Sequence, residues 1–254
     1  MRLRRKYAIV LSVVALISMA FTQGTEPTAE EIIKKMEAKL TSPQMTAQMK
    51  ITTIRPKKTK TMEVKVWQKG TTNSMTLILS PERDKGTVYL KKGSEMWNYL
   101  PNINKTVKLP MSILSQGFMG SDISGEEVMN GSALSKDFTH KKLGKDTISG
   151  KACYKIESKP KPGSSILWSK VESWVDVKDY LSMKTKIYDE DGKLLSTITS
   201  SEVKMLGGKM IPTKITIVPS GKTGYSTIVQ YISMDVTTAI RDDFFTVDNM
   251  KKVK

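Results

Sequence analysis

The sequence predicts a mainly β protein: one large antiparallel sheet, strongly curved or closed, preceded by a single helix. Three observations carry this. From Gln44 onward the hydrophobic period is two, the period of a strand. Turn signals recur at short spacing, among them Pro56 to Lys58, Gly70, Gly93, Asp189 to Gly192 and Gly207-Gly208. No repeat of fixed period and no low-complexity linker divides the 254 residues, a length that suits one large β domain.

The first element is not part of that sheet. Arg2, Arg4, Arg5 and Lys6 precede an apolar run, Tyr7 to Phe21, interrupted only by Ser12 and Ser18. A basic start, a short apolar stretch and small residues near its end form a signal peptide over residues 1–20. The run is too short for a comfortable membrane span. The expected product is an exported, periplasmic protein whose folded domain covers residues 25–254; an uncleaved N-terminal anchor is the alternative. The single cysteine, Cys153, lies far from this segment, which disfavours lipid attachment, and it has no partner for an intrachain disulfide.

Thr28 and Glu31 form a capping-box pattern, and Ile32, Ile33, Met36 and Leu40 fall on one helical face. Thr41-Ser42-Pro43 ends this helix. A meander follows. Met45, Ala47, Met49 and Ile51 alternate with polar residues, then Met62, Val64 and Val66, then Met75, Leu77 and Leu79. Strands over 87–90 and 96–100 complete it, joined by a tight turn at Gly93.

The stretch from Met96 to Glu127 breaks the pattern. Pro101 and Pro110 prevent one helix or one central strand. The segment then carries Met111, Ile113, Leu114, Phe118 and Met119, with Gly117 and Gly120 around the last pair. Loops run over the surface and are usually polar. One this apolar either plugs a core or covers an apolar cavity. Residues 124–130 predict one helical turn with Glu126 and Glu127 at its start. Further strands are expected over 136–145, 151–158, 171–177, 182–188, 193–204, 209–218 and 223–236, before a tail holding Phe244 and Phe245.

Catalytic chemistry is not legible. His140 is the only histidine, which removes histidine triads, histidine-rich metal sites and the zinc-protease motif. Cys153 sits in a strand pattern and reads as a small buried hydrophobe. Asp122, Glu126 and Glu127 read as capping groups. Asp189 to Asp191 reads as turn chemistry, without the ligand spacing of a calcium loop. No cofactor, no metal and no enzyme activity is expected.

The formal charge is +16, from 41 basic and 25 acidic side chains. Beyond the first segment the only arginines are Arg55, Arg83 and Arg241; the rest of the charge is lysine, spread along the chain. Base and phosphate reading prefers arginine, so nucleic acid is excluded as a partner. Transient contact with anionic membrane surfaces is expected instead. The 16 methionines, several in the alternating strands and the apolar loop, suit a surface that adapts to variable apolar partners.

Trp97-Asn98-Tyr99-Leu100-Pro101, the basic stretch Lys105 to Lys108 ending in Pro110, and Phe118-Met119-Gly120-Ser121-Asp122 resemble the outer-membrane lipoprotein-sorting (LolA-like) family. The helix, the meander and Phe244-Phe245-Thr246 fit the same resemblance. It implies an unclosed antiparallel β-barrel with an apolar concave face, covered by helices and a lid-like loop/helix segment. It implies a periplasmic carrier that binds lipoprotein acyl chains or other lipids and moves them toward the outer membrane. The implied lining is Met49, Ile51, Val64, Val66, Leu77, Leu79, Trp97, Leu114, Phe118 and Met119. The implied partners are the lipid or acyl chain and an inner-membrane exporter of the RND type or a lipoprotein-release complex. The family's best-known carriers use an arginine in lid and cavity, and this sequence presents no clear equivalent. The alternative on the same fold is an envelope sensor or exporter accessory that acts through protein–protein contacts.

The export reading has a direct test. N-terminal sequencing of the exported protein is expected to begin after residue 20; a first residue of Met1 would show that the segment is kept as an anchor.

Overall fold

The computed structural model describes residues 26–110, 117–123, 134–164 and 166–254. The expected signal segment, Met111, Ile113, Leu114, Glu126 and Glu127 lie outside the described residues.

Helix α1 spans Ala29–Leu40, and its N-terminus is held as the sequence predicts. The Thr28 side chain accepts from the Glu31 amide, and the Glu31 carboxylate accepts from the Thr28 amide at 2.8 Å. Two amides that a helix start leaves open are thereby satisfied.

Thirteen strands form one antiparallel sheet. They are β1 (Gln44–Arg55), β2 (Lys58–Lys69), β3 (Asn73–Ser80), β4 (Val88–Lys92), β5 (Glu95–Leu100), β6 (Lys105–Lys108), β7 (Phe138–Ile148), β8 (Lys151–Pro160), β9 (Lys170–Asp176), β10 (Ser182–Tyr188), β11 (Leu194–Leu206), β12 (Lys209–Pro219) and β13 (Ser226–Asp235). The strand predicted from residue 136 begins later, because Leu134–Asp137 forms a short helical turn. The last predicted strand also starts later, at Ser226, after a turn through Gly224 and Tyr225.

The spatial order is β6-β5-β4-β3-β2-β1-β13-β12-β11-β10-β9-β8-β7. The sheet is therefore open, with β6 and β7 as its two edges. These edge strands are consecutive in the chain, so the connection between them has to pass from one edge of the sheet to the other.

Each half of the inner face has its own cover. Ile32, Ile33 and Met36 of α1 are buried against Phe138, Tyr154, Ile156, Val171 and Val175 of β7 to β9. Glu37 reaches from α1 to the start of the Leu134–Asp137 turn and accepts from the Ser135 amide at 3.1 Å and from its hydroxyl. On the other half, Met119 and Ile123 pack against Ile51, Val64, Val66, Ile78 and Val229.

Cross-strand register fixes which side chains share this inner face, since directly opposed residues point the same way. Met49 is opposite Val64, Ile51 opposite Met62, Val64 opposite Ile78 and Val66 opposite Thr76. Trp67, Met75, Leu90 and Trp97 form a row of direct opposites on the other face. That outer row is covered by the C-terminal segment. Ile240, Phe245 and Met250 are buried against Met75, Leu77, Val88 and Leu90, with Leu79 and Trp97 at the margin. Phe244 packs against Trp67 with the ring planes tilted by 51° and centroids 5.4 Å apart, and Phe245 meets Phe244 edge-on at 5.3 Å.

The tail is thus a second core. Phe245→Ala is expected to destabilise the protein by about 3–5 kcal/mol, as for a buried aromatic truncated to alanine. Urea unfolding measures this; a loss under about 1 kcal/mol would show that the tail is a loose cover.

Candidate functional site

Between α1 and residues 117–123 the inner face encloses a cavity of about 460 Å³. A second, of about 320 Å³, lies beneath α1 on the β9-to-β13 half. Met36, Gln68, Leu134, Ile215 and Tyr231 line both, so the two are neighbouring chambers with a common wall. Each volume falls in the range of small-molecule sites, roughly 300–1,000 Å³.

Chemical character changes along the larger chamber. Toward one end its wall is Met49, Ile51, Val64, Val66, Ile217 and Val229, closed by Phe118, Met119 and Ile123. Toward the other it is polar. Gln68, Ser74 and Lys91 are successive cross-strand opposites on the inner face, and Thr71, Asn73 and Thr76 complete that wall. Lys91 is 5% exposed, and its ammonium donates to the Thr71 carbonyl at 2.8 Å. Burial pushes its pKa below the ordinary lysine value, because removing water disfavours the charged form.

The closing loop is defined by its own chemistry. The Phe118 amide donates to the Ile123 carbonyl at 2.7 Å, and the Ser121 hydroxyl bridges the Phe118 carbonyl and the Ile123 amide. Gly117 has φ +78°, and a Cβ there would lie 2.4 Å from the Ser121 carbonyl oxygen. Only glycine fits. Phe118 packs near Met96 and Leu109 and meets Tyr89 edge-on at 5.1 Å.

Arg55, at the end of β1, pins this loop to the sheet. Its guanidinium donates to the Asp122 carboxylate at 2.9 Å and to the Gly120 carbonyl at 3.1 Å. The Tyr225 ring lies beneath it at 4.8 Å. Asp122 also accepts from the Thr227 hydroxyl at 2.7 Å, while its amide donates to the same oxygen at 2.9 Å. The Asp122 side chain is 7% exposed, so these charge-assisted bonds are largely shielded from water.

The residues expected to line a cavity divide between the two faces. Met49, Ile51, Val64, Val66, Phe118 and Met119 come together around the larger chamber. Leu77, Leu79 and Trp97 do not: they sit in the outer cluster under the tail. Leu114 lies outside the described residues. The alternation in β3 was ambiguous because that strand is buried on both sides, Met75 and Leu77 outward, Thr76 and Ile78 inward.

Sequence reasoning missed Arg55, Lys91 and Thr227. An arginine in a chain whose surface is almost all lysine was the available signal for Arg55. Asp122 is the ion-pair partner of Arg55; the turn it was expected to cap, residues 124–130, lies outside the described residues. Cys153 is fully buried in an outer-face cluster with Trp174, and burial raises its thiol pKa. His140 bonds Ser158, which shares the inner face with Ile156. The two residues therefore do not meet. Among the described residues no group of three histidine, cysteine or acidic side chains could hold a metal.

A family model described as "uncharacterized protein" matches residues 70–252. No curated protein matches the sequence. Among the solved structures that share the fold are three with high overlap. One is a DUF1329 family protein from Desulfovibrio piger, at 22% identity and TM-score 0.77, covering 87% of this chain and 97% of its own. The second is a domain assigned to outer membrane lipoprotein sorting from Vibrio parahaemolyticus, at 20% and 0.75, covering 88% and 98%. The third is a LolA superfamily protein from Nitrosomonas europaea, at 24% and 0.72, covering 87% and 99%.

The Arg55–Asp122 pin has a measurable consequence. Asp122→Ala removes hydrogen bonds to a charged group, each about 1.5–3 kcal/mol. Hydrogen exchange at the Phe118 and Ser121 amides is expected to accelerate by at least about tenfold, with β2 and β13 unchanged. Unaltered exchange in the loop would show that apolar packing alone holds it.

Proposed function

Because the chain belongs to the family whose model covers residues 70–252, described as uncharacterized protein, and has a LolA-like fold, we propose that it carries acyl chains. The single observation behind this is the chamber with an apolar end between α1 and the 117–123 loop on the concave face of an open sheet.

The energetics suit a carrier. Burying about 14 methylenes at ~0.8 kcal/mol each gives roughly 11 kcal/mol before ordering is charged against it. The remainder is a reversible affinity, which a protein that loads and unloads requires. Nothing in this needs a nucleophile or a general base, in keeping with the separation of Cys153 from His140. The proposed setting is the periplasm, after loss of the N-terminal segment. The proposed donors and acceptors are envelope membranes and an inner-membrane exporter of the RND type or a lipoprotein-release complex, with the outer membrane as destination.

In this reading Phe118, Met119 and Ile123 fill the apolar end of the chamber when no cargo is present and move aside to admit it. The described part of the loop is pinned at Asp122, so it turns about Gly117 and Gly120, both at positive φ. The edges β6 and β7 give one other reading, in which an extended segment of a partner protein pairs with an edge despite the lysines there.

Native mass spectrometry of protein purified from the periplasm separates the two: added lipid mass is expected, and a stoichiometric protein would favour the partner reading. Phe118→Asp is expected to lower the affinity for a fluorescent fatty acid at least about tenfold, since a charge would face either acyl chain or core. Loss of binding with near-unchanged thermal stability supports the lid. Proportional loss of both makes Phe118 ordinary core, and unchanged binding contradicts the site.

A further inference from the structure

One acyl chain against Met49 and Val64 leaves the smaller chamber unused. Packed interiors keep few voids larger than a water molecule, so a second space of about 320 Å³ on the same face is a feature of the fold. Met36, Leu134, Ile215 and Tyr231 form the wall common to both chambers. The two lie side by side along the sheet: Ile198 of the smaller is the direct cross-strand opposite of Ile217 of the larger. Adjacent strands are about 4.8 Å apart, so hydrocarbon in one arm would neighbour hydrocarbon in the other.

Both arms are polar at the same end of the sheet. Strand β1 begins, β2 ends and β3 begins there, with Gln44 opposite Lys69 and Lys69 opposite Asn73. Thr71 and Ser74 line the larger arm at this end, and Gln68 lines both. The C-terminal end of α1 is tied to the same place. Lys209, at the start of β12, donates to the Thr41 carbonyl at 2.7 Å and to the Ser42 hydroxyl at 3.0 Å. Thr41 lines the larger arm, and Ser42 and Lys209 line the smaller. Away from this end the walls turn apolar, with Ile51 and Val64 in one arm and Ile187 and Ile198 in the other. Thr185 and Ser200 add hydroxyl groups part-way along the smaller.

Resting on the carrier reading above, we propose that the smaller chamber is a second acyl site and that the cargo is a two-chain lipid. Its polar head lies at the shared end, and one chain enters each arm. A single chain bent through both arms would bury its head at an apolar end or press its middle against polar groups, and both are unfavourable. Two chains leaving one head need no such bend. Gln68, Thr71, Ser74 and Ser42 offer donors and acceptors to the ester and head-group oxygens.

The test compares monododecanoylglycerol with didodecanoylglycerol, which share a head and a chain length, on the whole exported protein stripped of lipid. Affinity is read by displacement of a fluorescent fatty acid, and bound mass by native mass spectrometry. The two-chain lipid is expected to bind as one molecule per protein, at least about tenfold more tightly than the one-chain lipid. Ser200→Phe fills the smaller arm from β11, where Ser200 is opposite Ile215. It is expected to remove the preference for the second chain while one-chain binding continues in the larger arm. Ile198→Trp is the second filling variant, and the comparison in the unaltered protein stands whichever variant folds. Equal affinity for the two lipids, or a preference that survives in a folded Ser200→Phe protein, overturns the second site and leaves the carrier intact. Failure of both lipids to bind overturns the carrier as well.

Discussion

Strand β1 pairs with β13 over most of its length, with Met49 opposite Tyr231 and Ile51 opposite Val229. The first and last strands of the chain therefore meet in the middle of the sheet, and β6 and β7, neighbours in sequence, become its two free edges. The connection between them is obliged to cross from edge to edge. Residues 117–123 belong to that crossing, and they lie on the inner face at β1, β2 and β13. Strand order requires the crossing, and the contacts of residues 117–123 put that part of it on the inner face. What the side chains decide is whether the cover packs flat or leaves a chamber.

They leave a chamber because the two covers meet the sheet in different places. Helix α1 is committed to β7, β8 and β9 through Ile32, Ile33 and Met36. The loop is committed to β1 and β13 through Arg55, Asp122 and Thr227. Gln68, Ser74 and Lys91 stand on the sheet wall of the same chamber. The outer face is treated differently: the C-terminal segment fills it with Ile240, Phe245 and Met250. The outer face of the β2–β5 half is thus packed throughout, while the inner face holds both packed residues and the chamber. The open edges are protected by charge, with Lys105 and Lys108 on β6 and Lys141, Lys142 and Lys145 on β7. Lysine on an edge discourages further strand pairing.

Much of this was legible in the sequence because it depends on local signals. Thr28 and Glu31 mark the helix start, and glycine and proline positions mark nearly every hairpin. The apolar loop around Phe118 announced itself by being a loop. The inward face of β3 to β5 was not legible. Strand alternation identifies a face, but β3 is apolar on both, and only its register against Val64 and Val66 shows that Leu77 and Leu79 turn outward. Trp97 follows Leu90 to the same side. Arg55 and Asp122 are 67 residues apart in the chain, and no periodicity links them. Lys91 read as one surface lysine among many until the fold buried it.

On the proposed function, a hydrocarbon chain lies between α1 and the 117–123 loop on the inner face. Anomalous diffraction from crystals grown with a fatty acid brominated at its terminal carbon tests it most directly. Bromine density is expected within the chamber lined by Met49, Ile51, Val64 and Val66. Density on the outer face, or along a sheet edge with the chamber empty, would contradict it.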